Sequence, residues 1–146
     1  MMRPLSAQIG EDVGSNAASL NQQANMHYWD AIASATAGDY ESAGAKAEMI
    51  KVTLESITDP NKLRRYHRVH AFVNYKQGNY EKALEHMAEL NPDNVYDMYW
   101  KAKAFEMSGN IEEAKELFAE IADNNFNGVG YALIRNEVKD MLLASN

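Results

Sequence analysis

The chain has 146 residues, of which 46% are hydrophobic and 24% charged, and its net charge at pH 7 is −7. This composition predicts one globular domain with one continuous core, and the negative charge argues against nucleic acid or a membrane surface as a partner. Because the chain contains no cysteine, it forms no disulfide and no thiolate-based catalytic or metal site.

Residues 1–20 are rich in glycine, serine, asparagine and alanine, and no apolar block follows Arg3. This pattern does not match a signal peptide. We expect residues 1–20 to be a flexible leader or the truncated remnant of a longer chain, followed by a helical domain over 21–146. No apolar run approaches the ~18 residues that a membrane-spanning helix requires. A cytoplasmic location is therefore expected.

Apolar residues at helical spacing predict three hairpins of helices and one closing helix, and no segment alternates in the manner of a strand. Turn-forming sequences at Asp59-Pro60-Asn61 and Asn91-Pro92-Asp93 end the first and second hairpins. The predicted helices cover residues 21–37, 40–57, 62–77, 80–90, 93–108, 111–122 and 129–143.

A short phrase recurs at the turn inside each predicted hairpin. It reads Gly38-Asp39-Tyr40-Glu41-Ser42-Ala43, Gly78-Asn79-Tyr80-Glu81-Lys82-Ala83 and Gly109-Asn110-Ile111-Glu112-Glu113-Ala114. Glycine accepts the left-handed conformation that ends a helix, and in the first turn Asp39 can cap the helix that follows. A recurring unit of this kind indicates a repeat architecture.

These hairpins resemble tetratricopeptide repeats, whose unit is ~34 residues and two antiparallel helices. Aligned on the turn glycines, the family's small and large packing positions fall on Ala31, Ala71 and Ala102, on Ala43, Ala83 and Ala114, and on Ala47, Met87 and Phe118. The chain departs from the family in several ways, one of which is Ala47 at a position where a bulky residue is usual. Its turn glycines are 40 and then 31 residues apart, and His27, His67 and Met98 replace the family's tryptophan.

The resemblance implies a right-handed α-solenoid of about three hairpins with a C-terminal capping helix, and a concave groove lined by the first helix of each hairpin. By the same resemblance the groove residues are Tyr28, Arg65, Arg68, Phe72, Tyr75, Lys76, Tyr96, Tyr99 and Lys103, with Glu106 and Met107 at equivalent positions. Arginine suits carboxylates and tyrosine gives contact area at low entropic cost. We therefore expect a peptide or protein partner, with acidic segments among the candidates.

Self-assembly is the alternative function. Residues 61–82 carry six basic groups against one acid, and residues 106–124 carry six acids against one base. The basic middle of one chain could complement the acidic end of another, giving a homodimer that weakens in salt.

Two further groups of side chains bear on function. His27, His67 and His70 could hold zinc or copper, but histidines at these repeat positions more often fill space between helices. Trp29 and Trp100 occupy equivalent positions. We expect them in the core, and either would be a partner anchor if exposed. No phosphate-binding loop or nucleophile motif is present, so the sequence predicts no enzyme and no cofactor.

Overall fold

A computed structural model describes the backbone of residues 5–123 and 136–140, with side chains described from residue 16. Within these ranges all regular secondary structure is helical. The chain divides into two compact units, Met1–Val73 and Asn74–Asn146, each with a buried cluster of its own, whereas the composition predicted one continuous core. The helices are α1 (Leu5–Thr36), α2 (Tyr40–Thr53), α3 (Arg64–Lys76), α4 (Tyr80–Met87), α5 (Val95–Met107) and α6 (Ile111–Asp123).

The three predicted turns share one backbone geometry. Gly38, Gly78 and Gly109 have φ of 87°, 81° and 90°, a region that disfavours any residue with a Cβ. In the first turn the Gly38 N–H donates to the carbonyl of Ala35, and the next N–H donates to the carbonyl of Ser34. The same pair of bonds recurs after Gly78 and Gly109. This is the Schellman motif, and it confirms the predicted glycine caps.

Polar side chains cap the N-termini of two of the helices. Asp39 caps α2, since its carboxylate accepts the backbone N–H of Ser42 at 3.1 Å and the Ser42 hydroxyl at 2.7 Å. These hydrogen bonds hold the pKa of the Asp39 carboxyl below its ordinary value. Asn94 caps α5 by accepting from the N–H groups of Tyr96 and Asp97. The predicted Asp39 cap is confirmed.

In the unit Met1–Val73, α1 and α2 pack as a hairpin. Alanine supplies most of the buried face, and its small side chain lets two helix axes approach closely. The larger buried groups come from the end of α2 and from α3. The cluster is Ala24, Ala31, Ala35, Ala43, Ala47, Ile50, Leu54, Val69 and Val73.

In the unit Asn74–Asn146, α5 packs against both α4 and α6. The buried cluster consists of residues of α5 and α6 together with Val138. Its members are Val95, Met98, Ala102, Ala114, Phe118, Ile121 and Val138.

The packing positions assigned by the resemblance are buried. All nine are at most 5% exposed, in α1 to α6 alike. These nine positions therefore face inward. Of the predicted hairpins, the packing of α1 on α2 and of α5 on α6 is observed, and α4 packs on α5.

Several helix limits differ from those predicted. α1 begins at Leu5 rather than at residue 21, so the helix extends through the Gly- and Ser-rich segment. α2 ends at Thr53 rather than at 57, because the chain turns there: the Ile57 N–H donates to the Leu54 carbonyl. Lys62 fixes the loop that follows by donating from Nζ to the carbonyls of Glu55 and Ile57. α4 likewise ends at Met87 rather than at 90.

The predicted closing helix over 129–143 lies mostly outside the described residues. Residues 136–140 are helical, and Val138 is fully buried. Among the described helices, none combines the length and apolar character needed to cross a bilayer.

Alanine substitutions at two glycines of the first hairpin should change the free energy of unfolding in opposite directions. Gly44 lies inside α2, and a Cβ added there meets no atom within 4 Å. We expect Gly44→Ala to raise the free energy of unfolding by up to ~1 kcal/mol, because alanine favours the helix. Gly38→Ala should lower it by ~1 kcal/mol or more, because of the positive φ. Urea unfolding of both variants measures this, and changes of equal sign would contradict it.

Candidate functional site

The solvent-facing side of α5 carries large apolar side chains. Tyr96, Trp100, Lys103 and Met107 are spaced by four, three and four residues, which places them along one side of the helix. Tyr96 is 47% exposed, Trp100 38% and Met107 52%. The opposite side of α5 supplies Met98 and Ala102 to the core. Lys103, on the same side, is half-buried. We call these four positions the α5 stripe.

Trp100 lies between two tyrosine rings. The Tyr75 ring is 5.3 Å from the Trp100 ring at 76°, and the Tyr99 ring is 5.5 Å away at 79°. Tyr75 in turn meets Tyr80 edge-on at 5.5 Å. Edge-to-face pairs of this kind add stability beyond the area they bury. The unit Asn74–Asn146 thus holds a partly exposed aromatic cluster whose rings restrain one another.

Tyr99 is fixed further by two charged side chains. Its hydroxyl donates to Glu137 Oε1 at 2.9 Å, and Lys103 Nζ lies 3.9 Å from the same oxygen and 5.7 Å from the centre of the Tyr99 ring. Burial is the first cause that raises the pKa of Tyr99, and the hydrogen bond to Glu137 is the second. Burial also raises the pKa of Tyr75. Both phenols are therefore neutral hydrogen-bonding groups at ordinary pH.

The predicted groove residues fall into both units, and each set is described separately. In the unit Asn74–Asn146, the rings of Tyr75 and Tyr99 both contact the ring of Trp100. Tyr96 and Lys103 belong to the α5 stripe, and Lys76 is exposed. In Met1–Val73, Tyr28 and Phe72 are half-buried and pack against the core, and Arg65 and Arg68 are half-buried on α3.

The expectation that the two tryptophans lie in the core is wrong. Trp29 is 60% exposed and Trp100 38%. Helical spacing in fact indicates exposure, because Trp29 lies two residues before the buried Ala31 and an α-helix turns by about 100° per residue. Trp100 stands in the same relation to the buried Ala102. The expectation followed residue type instead of position on the helix. The sequence prediction also missed Glu137 as a partner of Tyr99, because 38 residues separate them in the chain.

The histidines do not form a metal site in the part of the chain that the structure describes. No group of three or more His, Asp or Glu side chains there could hold an ion. His70 instead stacks edge-on with Tyr66 at 4.6 Å, and its Nε2 lies 3.5 Å from Glu48 Oε1. His67 also meets Tyr66, at 5.1 Å. Both therefore pack against a neighbouring aromatic ring.

The chain matches no protein-family model, and no curated protein or solved structure is significantly similar to it. The α5 stripe and its aromatic neighbours are therefore the basis on which a function is inferred.

The Tyr99–Glu137 contact predicts a pH dependence. The pKa of Tyr99 is raised in the folded protein above its ordinary value of 10.0. The contribution of the protonated Tyr99 hydroxyl to folding stability is therefore complete below pH 10.0 and is lost as the pH rises through the raised pKa. Phenolate absorbance should show late-titrating tyrosines, and Tyr99→Phe should remove the part of that signal that titrates last. Glu137→Gln should lower the pKa of Tyr99 while leaving it above 10.0, since burial is the larger cause. An unchanged alkaline titration in Tyr99→Phe would contradict this.

Proposed function

We propose that this protein is a non-catalytic interaction module of the tetratricopeptide type, and that it binds a peptide or protein segment on the α5 stripe and the tyrosines beside it. The observation that carries the proposal is Trp100, which stays 38% exposed although Tyr75 and Tyr99 hold its ring in place. A restrained, accessible tryptophan offers contact area at little entropic cost.

Exposed aromatic groups in this arrangement favour a binding role. Tryptophan and tyrosine are enriched among the few residues that carry most of the binding energy at protein interfaces. Tyr96 and Met107 extend the apolar area by about one helical turn on one side of Trp100 and two on the other. A helical or extended segment that runs along α5 would therefore meet successive apolar contacts, with Trp100 near the middle.

The charges near the stripe bear on the partner's chemistry. Lys103 is 3.9 Å from Glu137, so its charge is offset locally. We therefore propose that apolar and aromatic side chains of the partner dominate binding at the α5 stripe. The expectation of an acidic partner depends on Arg65 and Arg68, which belong to the other unit. Binding of an acidic segment there remains a separate prediction.

The experiment is a selection of random peptides on the whole protein, followed by affinity measurement on variants. Trp100→Ala should weaken the selected peptides by at least ~10-fold, because truncating a central tryptophan costs roughly 2 kcal/mol or more. Trp29→Ala is the matched control, since it removes an exposed tryptophan from the other unit.

Circular dichroism should show that both variants keep the helical content of the wild type. Peptides that bind Trp100→Ala as tightly as the wild type, or that are weakened equally by Trp29→Ala, would contradict the assignment of the site to α5.

A further inference from the structure

The first helix carries almost no charge over most of its length. Between residues 13 and 38 the only charged side chain is Asp30, although 24% of the whole chain is charged. Asp30 itself lies 4.0 Å from Lys46 of α2. Helix faces that contact only water are normally rich in charged residues, and depletion of charge is a feature of the core of protein interfaces.

Large apolar side chains lie on the outer side of this helix. Gln22, Met26, Trp29 and Ala33 are spaced by four, three and four residues and are all exposed, Met26 by 61% and Trp29 by 60%. The opposite side of α1 supplies Ala24, Ala31 and Ala35 to the core. We call these four exposed residues the α1 seam, and their spacing is that of helices which pack side by side.

We propose that the α1 seam is the contact between two copies of this chain. A two-fold contact must complement itself, because the same patch is present on both partners. The amide side chain of Gln22 has both donors and acceptors and can pair with its own copy, whereas a carboxylate or an ammonium would repel it. Trp29 of one copy would pack against Met26 of the other, a favourable pairing of sulfur and ring.

The net charge of the chain also favours this face as the contact between copies. Two copies that each carry −7 repel each other, and the repulsion is smaller where they meet through a face whose one acid, Asp30, lies 4.0 Å from Lys46. This contact differs from the alternative drawn from the sequence, in which a basic segment pairs with an acidic one. It is also independent of peptide binding at the α5 stripe, which belongs to the other unit.

Light scattering and sedimentation across a concentration series test the proposal on the full chain. The wild type should form a dimer, and Trp29→Glu should weaken it by at least ~10-fold by placing a charge at the centre of the seam. Val52→Glu is the matched control, because Val52 is an apolar residue of the same unit that is 70% exposed on α2. Gln22→Glu offers a second, conservative test at the edge of the seam.

Salt dependence separates the two modes of self-association. A dimer through the α1 seam should persist or tighten as salt is added, since screening reduces the repulsion between copies and the seam contains no ion pair to weaken. Three results would overturn the proposal: a wild type that stays monomeric at all concentrations, a dimer that dissociates in salt, or a control Val52→Glu that weakens the dimer as much as Trp29→Glu does.

Discussion

Close packing of paired helices at buried alanines is the constraint on which this structure depends. Ala31, Ala43 and Ala47 in the first hairpin, and Ala102 and Ala114 in the third, are at most 2% exposed. Larger side chains there would separate the helix axes, which lie about 8–10 Å apart in packed pairs. The left-handed glycine turns make this approach possible because they reverse the chain over two residues and satisfy the carbonyls at the end of the first helix.

The same packing determines which surfaces remain for partners. A helix that turns one side of alanines toward its neighbour has its other side in contact with solvent. On α5 that other side holds Tyr96 and Trp100 with Lys103. On α1 it holds Met26 and Trp29, with Asp30 as the one charged residue between positions 13 and 38. The two surfaces belong to different units and differ in character. The first offers restrained aromatic rings beside charged groups, and the second offers a face with little charge, which is the proposed contact between two copies.

Local features of this chain could be predicted from its sequence, and long-range ones could not. The turn glycines and buried alanines were predictable because a positive φ and a close helix contact each demand one residue type. The start of α1 was missed because Gly10 and Gly14 are poor helix formers, yet the helix continues through them. The Tyr99–Glu137 bond was not predictable, since no local spacing connects residues so far apart. The exposure of Trp29 and Trp100 was predictable from spacing, because each lies two residues before a buried alanine and so on the opposite side of its helix.

The central claim is tested most directly by adding bulk at one of the buried alanines. Ala43→Leu should lower the free energy of unfolding by about 1–3 kcal/mol, because three extra carbons must fit where two helices meet. Ala45→Leu is the matched control in the same helix, two residues away and exposed, and should change it by no more than ~0.5 kcal/mol. Chemical denaturation of both variants gives the two values. Equal stability of Ala43→Leu and Ala45→Leu would contradict the account.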